Sequence, residues 1–304
     1  MIWEPLPDAW ERSLLADFAR SLRGSVRITI ADYPSLLRWS LDDPDAFWMA
    51  LSEWADIPWH GQPTDALANA AMPGTRWFPG GTLNYAEVAL RQAAVTPDEV
   101  AIISVSQTRE RRTLTWADLV DEVARCRAGL VALGVGSGDR VAALLPNIAE
   151  TTVAFLATAS IGAIWSSCAP EFGVRAVTDR WVQIEPSVLL TVDGYRYGRR
   201  EIDRSAQVDQ VVGSLPSLEH VVRLPYLDPS GPDGWSTLLD QDRAAADAEL
   251  SFEPVPFDHP LYVLFSSGTT GLPKPIVHGH GGITLEHVKA LGLHYDLRPG
   301  DRFC

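Results

Sequence analysis

Cysteine is scarce, positive charge is in deficit, and no apolar run is long enough to cross a bilayer. Only Cys126, Cys168 and Cys304 occur in 304 residues. Their odd number, wide separation and lack of metal-ligand spacing exclude a disulfide framework and favour buried or unpaired thiols in a reducing compartment. Lys and Arg number 25 against 39 Asp and Glu, a net charge of −14. Such a balance repels nucleic acid and anionic membrane surfaces on average. Any anionic small molecule therefore needs a locally positive or amide-lined site. The most apolar stretch, residues 153–165, is shorter than the roughly 20 residues a membrane-spanning helix requires and carries Thr158 and Ser160. It reads as a buried helix entering a strand. The start, Met1-Ile2-Trp3-Glu4-Pro5, has neither a basic segment nor an apolar core behind it, so a cytoplasmic location is expected.

What is present is globular in composition, 46% hydrophobic and 21% charged, with length for about two domains. Seven of the eleven tryptophans, Trp3, Trp10, Trp39, Trp48, Trp54, Trp59 and Trp77, lie in the first quarter. Large apolar anchors of this kind can fix an extended segment onto a larger body, but ordinary core packing is the favoured reading. Residues 1–95 are accordingly expected to form an amino-terminal arm with one clear helix over 44–55, where Phe47, Leu51, Trp54 and Ala55 share a face. From residue 96 the pattern becomes apolar runs alternating with helical periods. Strands are expected at 100–103, 112–114, 140–145, 163–166, 188–192 and 261–265, and helices at 149–161, 174–184 and 238–248. A further helix, opened by a capping box of Thr115 and Asp118, runs through Leu119, Val123, Leu130 and Leu133 to a terminating Gly134. This alternation predicts an α/β fold, a parallel sheet with crossover helices.

Directly after the last strand comes Ser266-Ser267-Gly268-Thr269-Thr270-Gly271-Leu272-Pro273-Lys274. Glycines let backbone N–H groups converge on an anion, hydroxyls add donors, and the lysine supplies the local charge that an acidic chain lacks. The composition is that of a phosphate cradle. It is not the P-loop pattern, which needs four residues between its glycines and Lys-Ser or Lys-Thr directly after the second; here Lys274 follows Gly271 by three. A flexible Ser/Gly linker is the other reading, and the strand upstream and the Pro-Lys pair argue against it.

The segment from Val263 to Lys274 resembles the phosphate loop of the adenylate-forming family of acyl-CoA synthetases, luciferases and peptide-synthetase adenylation domains. The resemblance implies that Ser266, Ser267, Gly268, Thr269, Thr270, Gly271 and Lys274 hold the ATP phosphates while a carboxylate attacks the α-phosphorus. Where the family's commoner version places glycine after the lysine, this chain has Lys274-Pro275-Ile276-Val277-His278-Gly279-His280-Gly281-Gly282. That variant is similar to the acetoacetyl-CoA synthetase branch. Three further segments agree with it: the run from Met72 through Trp77 and Asn84 to Glu87, then Leu145-Pro146-Asn147, then Gly162-Ala163-Ile164-Trp165-Ser166-Ser167-Cys168. The branch implies ATP, Mg²⁺ and CoA as reactants and cofactor, small-molecule substrates as partners, and a 96–304 domain that is the front part of a longer AMP-binding domain.

A second anion site is expected at Asp193-Gly194-Tyr195-Arg196-Tyr197-Gly198-Arg199-Arg200. Arginines in exposed loops are commonly just solvated charge. The family resemblance assigns Arg196, Gly198 and Arg199 to the phosphorylated adenosine end of CoA, a role suited to guanidinium donors. It also places the catalytic residues, the Mg²⁺ ligand and the mobile carboxy-terminal domain beyond Cys304, so none is assigned here, and the chain alone is expected to be inactive. A nucleotide-binding but inert fragment is the alternative, as is another short-chain carboxylate in place of acetoacetate. His278 and His280 are read as packing or hydrogen-bonding residues, since no carboxylate or cysteine stands at matching spacing. Residues 134–138, Gly-Val-Gly-Ser-Gly, follow a helix rather than a strand and read as a turn, not a dinucleotide fingerprint.

Overall fold

The computed structural model describes residues 8–24, 29–241, 250–266 and 271–303. The chain divides into two compact units. The first comprises residues 1–83, 256–258 and 280–304. Its described part contains α1 (Leu14–Ser21), α2 (Tyr33–Asp42) and α3 (Pro44–Trp54), besides a helix at His280–His287 that continues into a wider-turned stretch, Val288–His294. The side chains of Ser13, Asp32 and Asp43 each accept a backbone N–H at a helix start, which satisfies donors the helix itself cannot. The expected helix at 44–55 is present as α3, and α1 and α2 join it. These two span only 8 and 10 residues, too short for a 3.6-residue repeat to stand out. The tryptophans described in this unit pack as expected, and Trp3 lies outside the described residues. Trp39 is buried with Phe18, Leu22, Leu36, Phe47, Leu51 and Leu293, and Trp48 and Trp54 pack against the same cluster. Edge-on contacts such as Phe18 to Phe47, with centroids 5.9 Å apart, suit the aromatic quadrupole.

The second unit comprises residues 84–255 and 259–279. It opens with α4 (Tyr85–Leu90) and the strands β1 (Val100–Ser104) and β2 (Arg112–Thr115). Then follow α5 (Trp116–Ala132), β3 (Arg140–Leu144), α6 (Ala149–Ile161), β4 (Ile164–Cys168), α7 (Val174–Trp181) and β5 (Val188–Val192). A hairpin of β6 (Gly194–Tyr197) and β7 (Arg200–Asp203) leads to α8 (Ser205–Gly213), β8 (His220–Leu224) and α9 (Gly234–Asp240). The unit closes with β9 (Pro260–Ser266) and β10 (Lys274–Gly279). Six strands form one sheet in the order β8-β5-β3-β4-β9-β10. The first five run parallel, as the alternating pattern predicts, while β10 turns back antiparallel on β9. The strands expected at 100–103 and 112–114 do form, but they pair with each other as a separate antiparallel sheet rather than opening the main one. The helix expected over 238–248 starts earlier, at Gly234, and residues 242–249 lie outside the described residues.

The capping box of Thr115 and Asp118 is formed in both directions, each side chain accepting the other's backbone N–H. Asn84 explains part of one sequence motif. Its buried amide donates to the carbonyls of Ala159 and Glu253 at 2.9 Å each, and its oxygen accepts from Ala86 N–H at the start of α4. One face of the sheet is filled by Ala142, Leu144, Cys168 and Leu189, covered by Val177 and Trp181 of α7 and by Val208 and Val211 of α8.

Candidate functional site

Strand β9 is fixed from several directions before it delivers the glycine-rich loop. Phe265 packs against the cluster around Trp181. The buried Ser166 hydroxyl of β4 donates to the Val263 carbonyl at 2.9 Å. Tyr262 lies in an aromatic chain, 6.1 Å from the Phe155 ring and 5.2 Å from the His278 imidazole. The register with β10 sets Ser266 directly opposite Lys274, Phe265 opposite Pro275 and Tyr262 opposite His278. As β10 ends the sheet, its Pro275, which has no N–H to give to a ladder, is tolerated there.

The structure thus brings the first and last residues of the expected phosphate loop face to face. Ser266, Gly271 and Lys274 are all exposed, and a Cβ built on Gly271 meets nothing within 4 Å. Among the described residues, neither the Ser266 hydroxyl nor the Lys274 ammonium has a hydrogen bond or ion pair. Lys274 is one of only two lysines in an arginine-dominated chain, the other being Lys289. Ser267, Gly268, Thr269 and Thr270 lie outside the described residues. The return limb of the loop is held by a residue the sequence does not advertise. The Gln183 amide, just after α7, donates to the Pro273 carbonyl at 3.0 Å. Pro273 itself is buried.

His278 is at the end of β10, whereas His280 opens the next helix and is fully buried. The Thr284 hydroxyl donates to the His280 carbonyl at 2.7 Å. The two histidines therefore belong to different elements. Among the described residues, no group of three or more His, Cys, Asp or Glu side chains is placed to hold a metal ion.

The second expected site is the β6–β7 hairpin, which leaves the carboxyl end of β5. Tyr197 pairs with Arg200, so Gly198 and Arg199 form a two-residue turn. Gly198 has φ of +60°, the left-handed conformation that the first central position of such a turn requires. At the hairpin's base, a Cβ on Gly194 would lie 2.4 Å from the Ile202 carbonyl oxygen and 2.5 Å from Leu227 Cδ1. The Asp193 carboxylate accepts the backbone N–H groups of Tyr226, Leu227 and Asp228, each at 2.8 Å. Arg196 forms an ion pair with Glu201 and donates to the Gln107 carbonyl at 3.1 Å. The segment holding Gln107 is itself stapled down: Ser106 hydrogen-bonds the Tyr226 hydroxyl, and Arg109 lies over the Tyr226 ring and pairs with Glu150. Arg199 and Arg200 are exposed, and neither side chain has a hydrogen bond or ion pair among the described residues.

Both candidate sites leave the carboxyl ends of parallel strands, where ligands gather in open α/β sheets. Strands β5 and β9 are separated by β3 and β4, three interstrand steps or about 14 Å. The thiols of Cys126 and Cys168 are buried. Burial pushes Cys126 well above the ordinary thiol range and Cys168 up to about 11. Cys304 lies outside the described residues.

Comparison with known proteins agrees with this architecture. The AMP-binding enzyme family matches residues 90–304, and the acetyl-coenzyme A synthetase N-terminus family matches residues 33–89. The chain belongs to the AMP-binding enzyme family. An acetoacetyl-CoA synthetase structure from Streptomyces lividans superposes with a TM-score of 0.93 at 50% identity, over 99% of this chain and 46% of that one. The acetoacetyl-coenzyme A synthetase of Rhizobium meliloti (strain 1021) is 39% identical over 99% of this chain and 46% of its own length. A malonamoyl-CoA synthetase of Penicillium aethiopicum is 36% identical over 94% of this chain and 42% of its own. The chain thus spans about half the length of the relatives it matches.

Proposed function

We propose that this chain is the amino-terminal part of an acid–thiol ligase that joins acetoacetate to CoA, with ATP cleaved to AMP and pyrophosphate. In that reaction a carboxylate oxygen attacks the α-phosphorus. The acyl–O–P bond forms, the bond to the β-phosphate oxygen breaks, and pyrophosphate leaves. The CoA thiolate then attacks the acyl carbonyl and AMP departs. The residues given to the ATP phosphates are Ser266, Ser267, Gly268, Thr269, Thr270, Gly271 and Lys274. The observation that carries this reading is the exposed pair Ser266 and Lys274, facing each other at the mouth of a glycine-rich loop on the carboxyl end of a parallel strand. A hydroxyl and a compact ammonium at that place suit phosphate oxygens, which need donors and charge together.

The CoA nucleotide is assigned to the β6–β7 hairpin. Gly198 makes its turn, Arg199 stands at the tip, and Arg196 is a donor pre-oriented by Glu201 and Gln107. The long pantetheine arm of CoA lets its thiol reach an acyl-adenylate held beside β9 while its phosphates stay beside β5. Residues 1–95 are proposed as the amino-terminal arm and 96–304 as part of the AMP-binding domain, in a cytoplasmic enzyme with small molecules as its partners.

Titrating the chain with ATP, with Lys274→Ala beside it, tests the loop: the variant is expected to bind at least about tenfold more weakly, the effect of losing one charge-assisted contact. Equal affinities would remove the basis of the assignment. The acyl group is tested by acetoacetate-dependent exchange of pyrophosphate into ATP, in a protein carrying this chain joined to the remaining length found in its relatives. Preference for another short-chain acid there would replace acetoacetate, and the malonamoyl-CoA synthetase relative keeps that reading open.

A further inference from the structure

Gln183 lies just past α7 and ties that helix to the glycine-rich loop. Its backbone N–H goes to the Arg180 carbonyl at 3.2 Å, and its side-chain amide turns back to donate to the Asp179 carbonyl at 2.7 Å. An amide nitrogen carries two hydrogens. The second goes to the Pro273 carbonyl at 3.0 Å, so one group caps the last turn of a helix and grips the returning limb of the loop. The brace is anchored on either side. Trp181 ahead of it is fully buried in the core, and behind it the Arg140 guanidinium donates to the carbonyls of Ile184 at 2.8 Å and Glu185 at 2.7 Å.

The bond falls on the peptide unit that delivers the lysine. The Pro273 carbonyl and the Lys274 N–H belong to one planar group. Proline rings stand on both sides of Lys274: Pro273 has its own φ locked, and Pro275 restricts the residue before it to extended backbone. The remaining soft torsion on the way into Lys274 is ψ of Pro273, and the bond from Gln183 fixes where that carbonyl points. Pairing with Ser266 holds Lys274 from the β9 side. Gln183 holds it from α7. Pro273 is buried and Lys274 next to it is exposed, so the cation projects from a fixed base.

We propose that Gln183 is a positioning residue for ATP: by holding the Pro273 carbonyl it aims the Lys274 ammonium at the polyphosphate of the nucleotide. The inference rests on the assignment of the ATP phosphates to this loop and adds to it a residue that acts from outside the loop. A compact charge on a flexible four-carbon stem loses rotamer freedom when it binds. A fixed backbone beneath it removes part of the ordering that ATP would otherwise have to impose. Gln183 thus acts on affinity through the lysine, and its effect disappears when the lysine is absent.

The test is a double-mutant cycle, read by calorimetric titration of the chain with ATP and with AMP, for the native sequence, Gln183→Met, Lys274→Ala and the two changes together. Methionine keeps the length of the side chain and removes its donors. Gln183 is exposed; Gln183→Ala repeats the measurement with a shorter side chain, and circular dichroism and urea unfolding confirm that each variant keeps its fold. Gln183→Met is expected to weaken ATP about fivefold, the effect of one neutral hydrogen bond, to leave AMP nearly unchanged, and to add nothing in the Lys274→Ala chain. If the native chain does not bind ATP, or Lys274→Ala binds it equally well, the loop assignment falls and this inference with it. If Lys274→Ala weakens ATP while both Gln183 variants bind it as the native chain does, the assignment stands and the inference is overturned. Equal losses with and without Lys274, or an equal loss for AMP, also overturn it, since Gln183 would then act on the fold rather than on the lysine.

Discussion

At the scale of single residues, burial decides which reactive groups are available. Cys126 and Cys168 are buried and their thiols are held protonated by desolvation. Alkylation at pH 8 is therefore expected to be at least about tenfold slower at both positions in the folded chain than after unfolding, as peptide mass spectrometry would show. Tyr85 gives a pH signature. Burial pushes its hydroxyl up to about 12, with Tyr262 nearby adding to the rise. Between pH 10 and 12 the unfolded chain releases this proton and the folded one keeps it, so stability falls as pH rises through that window. The loss is about 2–3 kcal/mol when complete. Urea unfolding at pH 9 and pH 11 should show this decline, and Tyr85→Phe should blunt it. Lys274 stands out in the sequence as one cation among glycines and hydroxyls, and the structure sets it opposite Ser266. Gln183 does not, since its hydrogen bond to Pro273 joins residues ninety positions apart and no local pattern encodes such a pairing. Arg196 was visible as a cation, but its bracing by Glu201 and Gln107 depends on the hairpin register and on a distant loop.

At the scale of elements, long segments were read more faithfully than short ones. Helix α6 runs over Ala149–Ile161 and β5 over Val188–Val192, as their apolar patterns require. The β6–β7 hairpin escaped notice because its strands are only 4 residues each and its turn is Gly198-Arg199 between charged and aromatic residues. Likewise no strand was expected at Lys274–Gly279, where β10 lies, since Pro275 and Gly279 interrupt its short apolar run. The hairpin yields a direct prediction. Gly194→Ala forces a Cβ against the Ile202 carbonyl and Leu227 and is expected to destabilise the unit by about 1–3 kcal/mol. It should also weaken CoA binding without altering any group that touches the ligand. Chemical denaturation and calorimetric titration with CoA measure the two effects separately.

At the scale of the whole molecule, the chain carries the loop expected to hold ATP and the hairpin expected to hold CoA, yet spans only about half the length of its relatives. Pyrophosphate exchange by the 304 residues alone is expected to be undetectable, with ATP binding retained; exchange at an ordinary enzymatic rate would show that the reaction needs no more than this half. Among the described residues β10 is the last strand of its sheet, and it exposes Ile276 and Val277, the latter 57% exposed. Unpaired strand edges of this kind invite pairing with another strand. Light scattering should therefore show concentration-dependent self-association of the chain, reduced by Val277→Lys.

The register that sets Ser266 against Lys274 also governs how much ordering remains for an incoming anion to impose. Residues 267–273 leave and return at adjacent points of a hydrogen-bonded ladder, so the entropy of bringing their ends together is lost during folding. A ligand arriving there meets a segment whose span is already fixed, and more of its interaction free energy can appear as affinity.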